Sequence, residues 1–151
     1  MDNELLYHFF SDDDFLDISN EIHKMEKITA GEIRVAIKEE APFLKSKKSI
    51  KDLATEEFYK LGMADTRDKT GILIYVLLSK REFYILADSG INEKVEQSTW
   101  DSIRTEMQED FKHGSYLEGI LATINKVGNI LGDYFPIKED DTNELSNKVV
   151  V

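Results

Sequence analysis

The sequence predicts an α/β fold in which a small mixed sheet is covered by helices on both faces. Three observations carry the prediction. Ile72-Leu73-Ile74-Tyr75-Val76-Leu77-Leu78 is an unbroken apolar run, the pattern of a central strand with no solvent face. Only Ser79-Lys80-Arg81 separates it from Phe83-Tyr84-Ile85-Leu86-Ala87, so the second run folds back as an antiparallel hairpin partner. Upstream, Glu32–Lys38 alternates as a strand and is joined to the central run through one helical segment. Strand, helix and strand in that order make a right-handed crossover, with the first two strands parallel.

The totals agree with a single ordinary domain. The chain has 151 residues, 41% hydrophobic and 10% aromatic, which is the composition of a globular protein rather than a disordered one. Its net charge of −11 would repel nucleic acid and anionic membranes and is compatible with cation binding. With no cysteine, disulfides and thiolate chemistry are excluded. Neither end shows a signal-peptide core or a transmembrane run, so no membrane insertion and a cytoplasmic location are expected.

Taken in order, residues 1–10 carry Tyr7, His8, Phe9 and Phe10 without a clear period and read as an extension, with both phenylalanines as packing residues. Ser11 reads as an N-cap, and Asp12, Asp13 and Asp14 suit the positive end of the helix that follows. The cap explains this acidic triplet better than a phosphotransfer motif does. Phe15, Ile18, Ile22 and Met25 form the inner stripe of that helix. In the first strand, Ile33, Val35 and Ile37 point inward, while Glu32, Arg34 and Lys38 are expected on a wetter face. Pro42 and the lysines between 45 and 48 form a surface loop. Ser49 caps the next helix, whose stripe is Ile50, Leu53, Ala54, Phe58 and Leu61, and Gly62 supplies the left-handed turn that ends it.

After Gly90 the chain is helical. Asn92-Glu93-Lys94-Val95 reads as a single turn. Ser98 is expected to cap a helix carrying Trp100, Ile103, Met107 and Phe111, and His113-Gly114 breaks it. Ser115 is expected to cap the last helix, with Leu117, Ile120, Leu121, Ile124, Val127 and Leu131 inward. The four helix starts thus share one grammar, a serine followed three residues later by Asp or Glu. Beyond Phe135-Pro136 the chain, 137–151, reads as a polar tail, with Val149–Val151 either adding an edge strand or hanging free.

Strand directions lead to a candidate site. With two parallel strands and a third running back, the starts of the first two and the end of the third share one sheet edge. Glu32, Asp65, Asp68 and Asp88 would gather there, with Thr66 and loop carbonyls beside them. Crowded carboxylates repel, and a hard cation such as Ca2+ or Mg2+ would relieve the repulsion. The alternative is chance grouping in a chain with 30 acidic residues, or pairing with Arg34, Arg67 and Arg81. His8, His23 and His113 show no ligand spacing, and no Gly-rich phosphate loop or nucleophile elbow is present. Amides at Asp88-Ser89-Gly90-Ile91 would suit an anion, although a tight glycine turn is the simpler use. Trp100 could wall such a pocket or, at helical spacing, belong to the core.

The same residues resemble a family. Gly31-Glu32-Ile33-Arg34-Val35, Leu61-Gly62-Met63 with Thr66, Thr70-Gly71-Ile72-Leu73-Ile74-Tyr75-Val76, Asp88-Ser89-Gly90-Ile91, Trp100, Phe111-Lys112-His113-Gly114 and Phe135-Pro136 together resemble the TPM domain. The likeness runs from Ser11 to Pro136, so residues 11–136 are expected to form the domain. It departs where Thr70 stands in place of Asn and Ala87 in place of Gly. The resemblance implies a three-layer α/β/α sandwich and, in some members, divalent-cation binding and acid-phosphatase activity. Other members act as assembly or repair factors or as modulators of membrane proteins. Two hypotheses follow. One is a cation-dependent phosphomonoesterase in which Asp88 and Asp68 hold the metal, with Glu32 or Asp65 assisting. The other is a non-enzymatic module whose cation orders loops that dock a protein partner.

Overall fold

A computed structural model describes residues 4–45, 47–137 and 149–151. The elements are α1 (Glu4–Phe9), α2 (Asp12–Glu26), β1 (Glu32–Lys38), α3 (Ile50–Lys60), β2 (Gly71–Leu77), β3 (Glu82–Ala87), α4 (Ser89–Asn92), α5 (Gln97–Lys112) and α6 (Tyr116–Tyr134). Short 3-10 turns stand at Phe43–Lys45, Met63–Asp65 and Leu78–Lys80. The strands form one sheet in the order β1-β2-β3, with β1 and β2 parallel and β3 antiparallel to β2. The mixed sheet expected from the sequence is the one observed.

Every residue of β2 is buried, because its alternating side chains enter two separate cores. Ile72, Ile74 and Val76 join Ile33, Val35 and Ile37 against α2, α5 and α6. Leu73, Tyr75 and Leu77 face the other way, onto Leu53, Ala54 and Phe58 of α3 and onto Met63. The sandwich is therefore lopsided, with one helix on one face and several on the other. Leu6 and Phe10 also enter the larger core, so α1 packs as part of it although its sequence showed no helical period.

One face of β1 and two caps differ from expectation. Glu32 is only 4% exposed and Arg34 is half-buried, because α3 and the turn after it cover the face of β1 that alternation alone would leave wet. Burial lowers the Arg34 guanidinium below its usual range, against the opposing pull of the Glu57 charge. Ser11 makes a full capping box with Asp14, and Ser49 accepts from the Asp52 amide. Ser98 does not cap α5. That helix begins at Gln97 after Glu96, and Asp101 instead accepts from Gln97 and Arg104. Ser115 occupies the cap position of α6 but makes no side-chain cap bond. The single turn predicted at 92–95 begins earlier, as α4, capped by Asp88.

At the open end of the sheet the chain terminus contributes. Ile37 N–H donates to Val150 C=O at 2.8 Å and Val150 N–H donates to Val35 C=O at 2.9 Å, a parallel bridge on the outer edge of β1. The polar segment 138–144 lies outside the described residues. Among the described residues no helix is long and apolar enough to cross a membrane.

Candidate functional site

Register fixes the edge predicted from strand direction. Glu32 pairs with Gly71 and Ile72 pairs with Ala87, so Glu32, Gly71 and Asp88 stand side by side. Two bonds tie the row together, Glu32 N–H to Thr70 C=O at 3.0 Å and Asp88 N–H to Gly71 C=O at 2.9 Å. By alternation all three project on the α3 side, under the loop that runs from Gly62 to Thr70. Gly62 turns that loop with φ 73°, and Lys69 closes it with φ 57°. Thr66 is buried and its hydroxyl accepts from Thr70 N–H, so it serves the loop's own structure.

The side chains do not converge as the backbone does. Among the described residues no three His, Asp or Glu side chains are grouped closely enough to share a metal ion. The reason is the sheet itself. Glu32 and Asp88 flank β2, and two strand spacings separate their backbones by about 10 Å. Asp65 and Asp68 are exposed on the loop, and Asp68 pairs with Arg67 at 3.4 Å, one of the pairings that the sequence offered as the alternative to a cation.

Asp88 is the distinctive member. Its Oδ1 accepts from Ser89 N–H at 2.7 Å, while Oδ2 is buried and has no hydrogen-bond partner among the described residues. Gly90 N–H donates to Lys69 C=O at 2.9 Å, clamping α4 onto the loop. With the Ser89 and Gly90 amides spent in this way, the anion-binding use of this turn is not supported, and the tight glycine turn is what forms. A cleft of about 320 Å3 opens at the same edge, lined by Asp68, Thr70, Gly90, Glu93, Lys94 and Phe135 among others. Glu93 and Lys94 were not singled out from the sequence. The available signal was the Asp88 cap, which places both at the far end of a single helical turn. Lys94 lies over the Phe135 ring at 5.1 Å.

The remaining candidates resolve simply. Lys45 and Lys48 both pair with Glu56, so this part of the lysine loop is an ion-paired surface. Trp100 is 7% exposed and belongs to the larger core, on the side of β3 away from the β1 edge.

Comparison with known proteins fits this geometry. The family model described as the TPM domain matches residues 6–130. The chain is similar to the NMR structure of BA42 from the psychrophilic bacterium Bizionia argentinensis, with 35% identity over 94% of both chains and a TM-score of 0.84. It shares its fold with the N-terminal domain of a P. gingivalis protein, at 16% identity over 84% of this chain and 79% of that one, with a TM-score of 0.69. The N-terminal domain of cg2496 from Corynebacterium glutamicum is similar in fold too, at 11% identity over 94% and 80% of the chains, with a TM-score of 0.59. No curated protein matches the chain at a significant level.

Proposed function

The chain belongs to the TPM domain family, and from that premise we propose that it binds a divalent cation, Ca2+ or Mg2+, where Asp88 meets the Gly62–Thr70 loop. The observation that carries the reading is Asp88 Oδ2, buried without a hydrogen-bond partner among the described residues, at the end of β3 where the chain turns into Gly90. Leaving a buried polar group unsatisfied costs about 1–3 kcal/mol, more for a charged one, and a bound cation would offset that. The loop beside Gly90 supplies oxygen donors, the backbone carbonyls of Asp68 and Lys69 and the exposed carboxylate of Asp68, a type of donor that suits a hard cation. Glu32 is buried at the β1 end of the same row.

Because no cage of three carboxylates is preformed among the described residues, binding is weak, with a dissociation constant on the order of 10⁻⁴–10⁻³ M, the weak end of the range that ligand charge count sets. The cation orders the loop, and the domain acts as an interaction module. A cation at 100 times its dissociation constant stabilises the fold by about 2.7 kcal/mol, which raises Tm by roughly 5–10 °C. The test is an amide NMR titration with Ca2+ and with Mg2+. Shifts are expected at Asp68, Lys69, Thr70 and Gly90, and they should vanish in Asp88→Asn. Absence of those shifts at 10 mM cation, or their survival in the variant, refutes the proposal.

Phosphomonoester hydrolysis is the second reading, favoured by Lys94, a cation lining the cleft at this edge that would hold a phosphate. A bound metal would polarise the phosphoryl oxygen and activate water, with Asp88 and Asp68 holding it. Turnover of p-nitrophenyl phosphate that depends on cation and is lost in Asp88→Asn supports this reading. Cation-dependent stabilisation without turnover leaves the interaction module alone.

A further inference from the structure

The sheet ends in β3, whose outer edge has no strand partner among the described residues and is flanked by clefts that differ in charge from the rest of the molecule. Asp88 N–H bonds to Gly71 C=O, and antiparallel ladders alternate. The N–H and C=O groups of Phe83, Ile85 and Ala87 therefore turn away from β2, toward the free edge. Of these, the Ala87 carbonyl accepts from the Asn92 side chain at 2.8 Å. The Phe83, Ile85 and Ala87 amides have no acceptor among the described residues. Glu82–Ala87 contains no proline and no bulge, two devices that commonly disable an edge.

Two clefts lie along this edge. One cleft, about 280 Å3, is lined by Tyr84, Ile85, Ala87, Gln97, Trp100 and Arg104 among others. The next, about 440 Å3, is lined by Arg81, Glu82, Phe83, Arg104, Phe111 and Lys112 with their neighbours. Arg104 lines both, so the two clefts are neighbours between β3 and α5. The second cleft has three cationic side chains to one carboxylate, in a chain of net charge −11. Arg104 is paired with Asp101 at 3.2 Å. Arg81 and Lys112 have no carboxylate partner among the described residues, and Arg81 lies over the Phe9 ring at 5.9 Å. Trp100, which lines the first cleft, has its Nε1–H buried without an acceptor among the described residues.

From these features we propose that the β3 edge is a docking site for an extended acidic peptide segment of a partner protein, added to the sheet as a fourth strand. Backbone bonds to Phe83, Ile85 and Ala87 hold the peptide, and alternate side chains enter the two clefts. Carboxylates reach Arg81 and Lys112, and an acceptor side chain reaches Trp100. A second copy of this chain is disfavoured as occupant, because each copy brings eleven net negative charges.

The probes are two pools of eight-residue peptides, one alternating Glu with Val, Ile, Tyr or Phe, the other with Lys in place of Glu. The acidic pool should shift the Phe83, Ile85 and Ala87 amides and the Trp100 indole signal, and added salt should weaken the effect. Backbone N-methylation of the acidic peptides at alternate residues should abolish it. Arg81→Glu with Lys112→Glu should weaken binding about tenfold or more while leaving the melting curve in place. Equal shifts from the lysine pool, no shifts along β3, or shifts confined to the cation edge would each overturn the proposal. So would shifts of the same amides on raising protein concentration alone, which would identify a second copy as the occupant.

Discussion

Gly90→Ala separates the structural reading from simple propensity, because the two predict opposite signs. Gly90 lies in α4, and replacing a helical glycine by alanine ordinarily stabilises by up to about 1 kcal/mol. Here a methyl group on Gly90 would stand 2.3 Å from the Asp68 carbonyl oxygen and 2.6 Å from that of Lys69. Both obstacles are backbone, in a loop pinned by the Thr66 and Thr70 bonds and by Lys69 at φ 57°. The loop has to move. Forcing extra volume into such a contact costs about 1–3 kcal/mol, and losing the Gly90 N–H to Lys69 C=O bond costs about 1 kcal/mol more.

Set against the propensity gain, the net destabilisation is about 2 kcal/mol, or roughly 4–8 °C in Tm for a domain of this size. Urea denaturation of the wild type and Gly90→Ala measures it. Gly114→Ala is the control, since Gly114 has φ 78° in open space and an alanine there pays about 1 kcal/mol of backbone strain only. The control should leave the amides of residues 66–70 in place, whereas Gly90→Ala should shift them. A Gly90→Ala protein as stable as the wild type would refute the clamp between α4 and the loop.

Further outcomes follow from single groups. Burial, reinforced by the Glu57 and Glu56 charges, pushes the Tyr75 phenol up to about 12. The folded state holds that proton more tightly than the unfolded chain, where a tyrosine titrates near 10, so its stabilisation is intact below pH ~10 and disappears as pH rises to about 12. The loss amounts to about 3 kcal/mol in alkaline unfolding curves and should be absent from Tyr75→Phe; equal losses in both proteins would contradict it. Ser11→Ala removes a capping box and should cost about 1 kcal/mol in thermal unfolding. Ser98→Ala, inside the first turn of α5, should stay within about 0.5 kcal/mol, and the reverse order would reject the cap assignments. Removing Val149–Val151 deletes two backbone bonds to β1 and should cost about 2 kcal/mol, whereas an unchanged Tm would show that the bridge contributes nothing.

The parts legible in the sequence are those set by chain order and local period. An unbroken apolar run such as Ile72–Leu77 has one stable placement, between two layers, and its register with β1 and β3 then brings Glu32, Gly71 and Asp88 into one row. Distances across that row obey different rules. Strand spacing holds Glu32 and Asp88 apart whatever their charge, so a shared edge did not make a shared carboxylate cluster. Alternation also misplaced Glu32 as wet, because period reports which face a residue occupies and not what a distant helix lays over that face. Ser98 shows the same limit from the other direction. Its spacing to Asp101 satisfies the cap pattern, yet Gln97 and Arg104 take the carboxylate and the helix starts earlier. Asp88 joins the two cases. Its position at the strand end was predictable from register, but the division of its two oxygens was not. One accepts from the Ser89 amide and the other is buried without a partner among the described residues, beside the turn in which Gly90 bonds to the loop at Lys69.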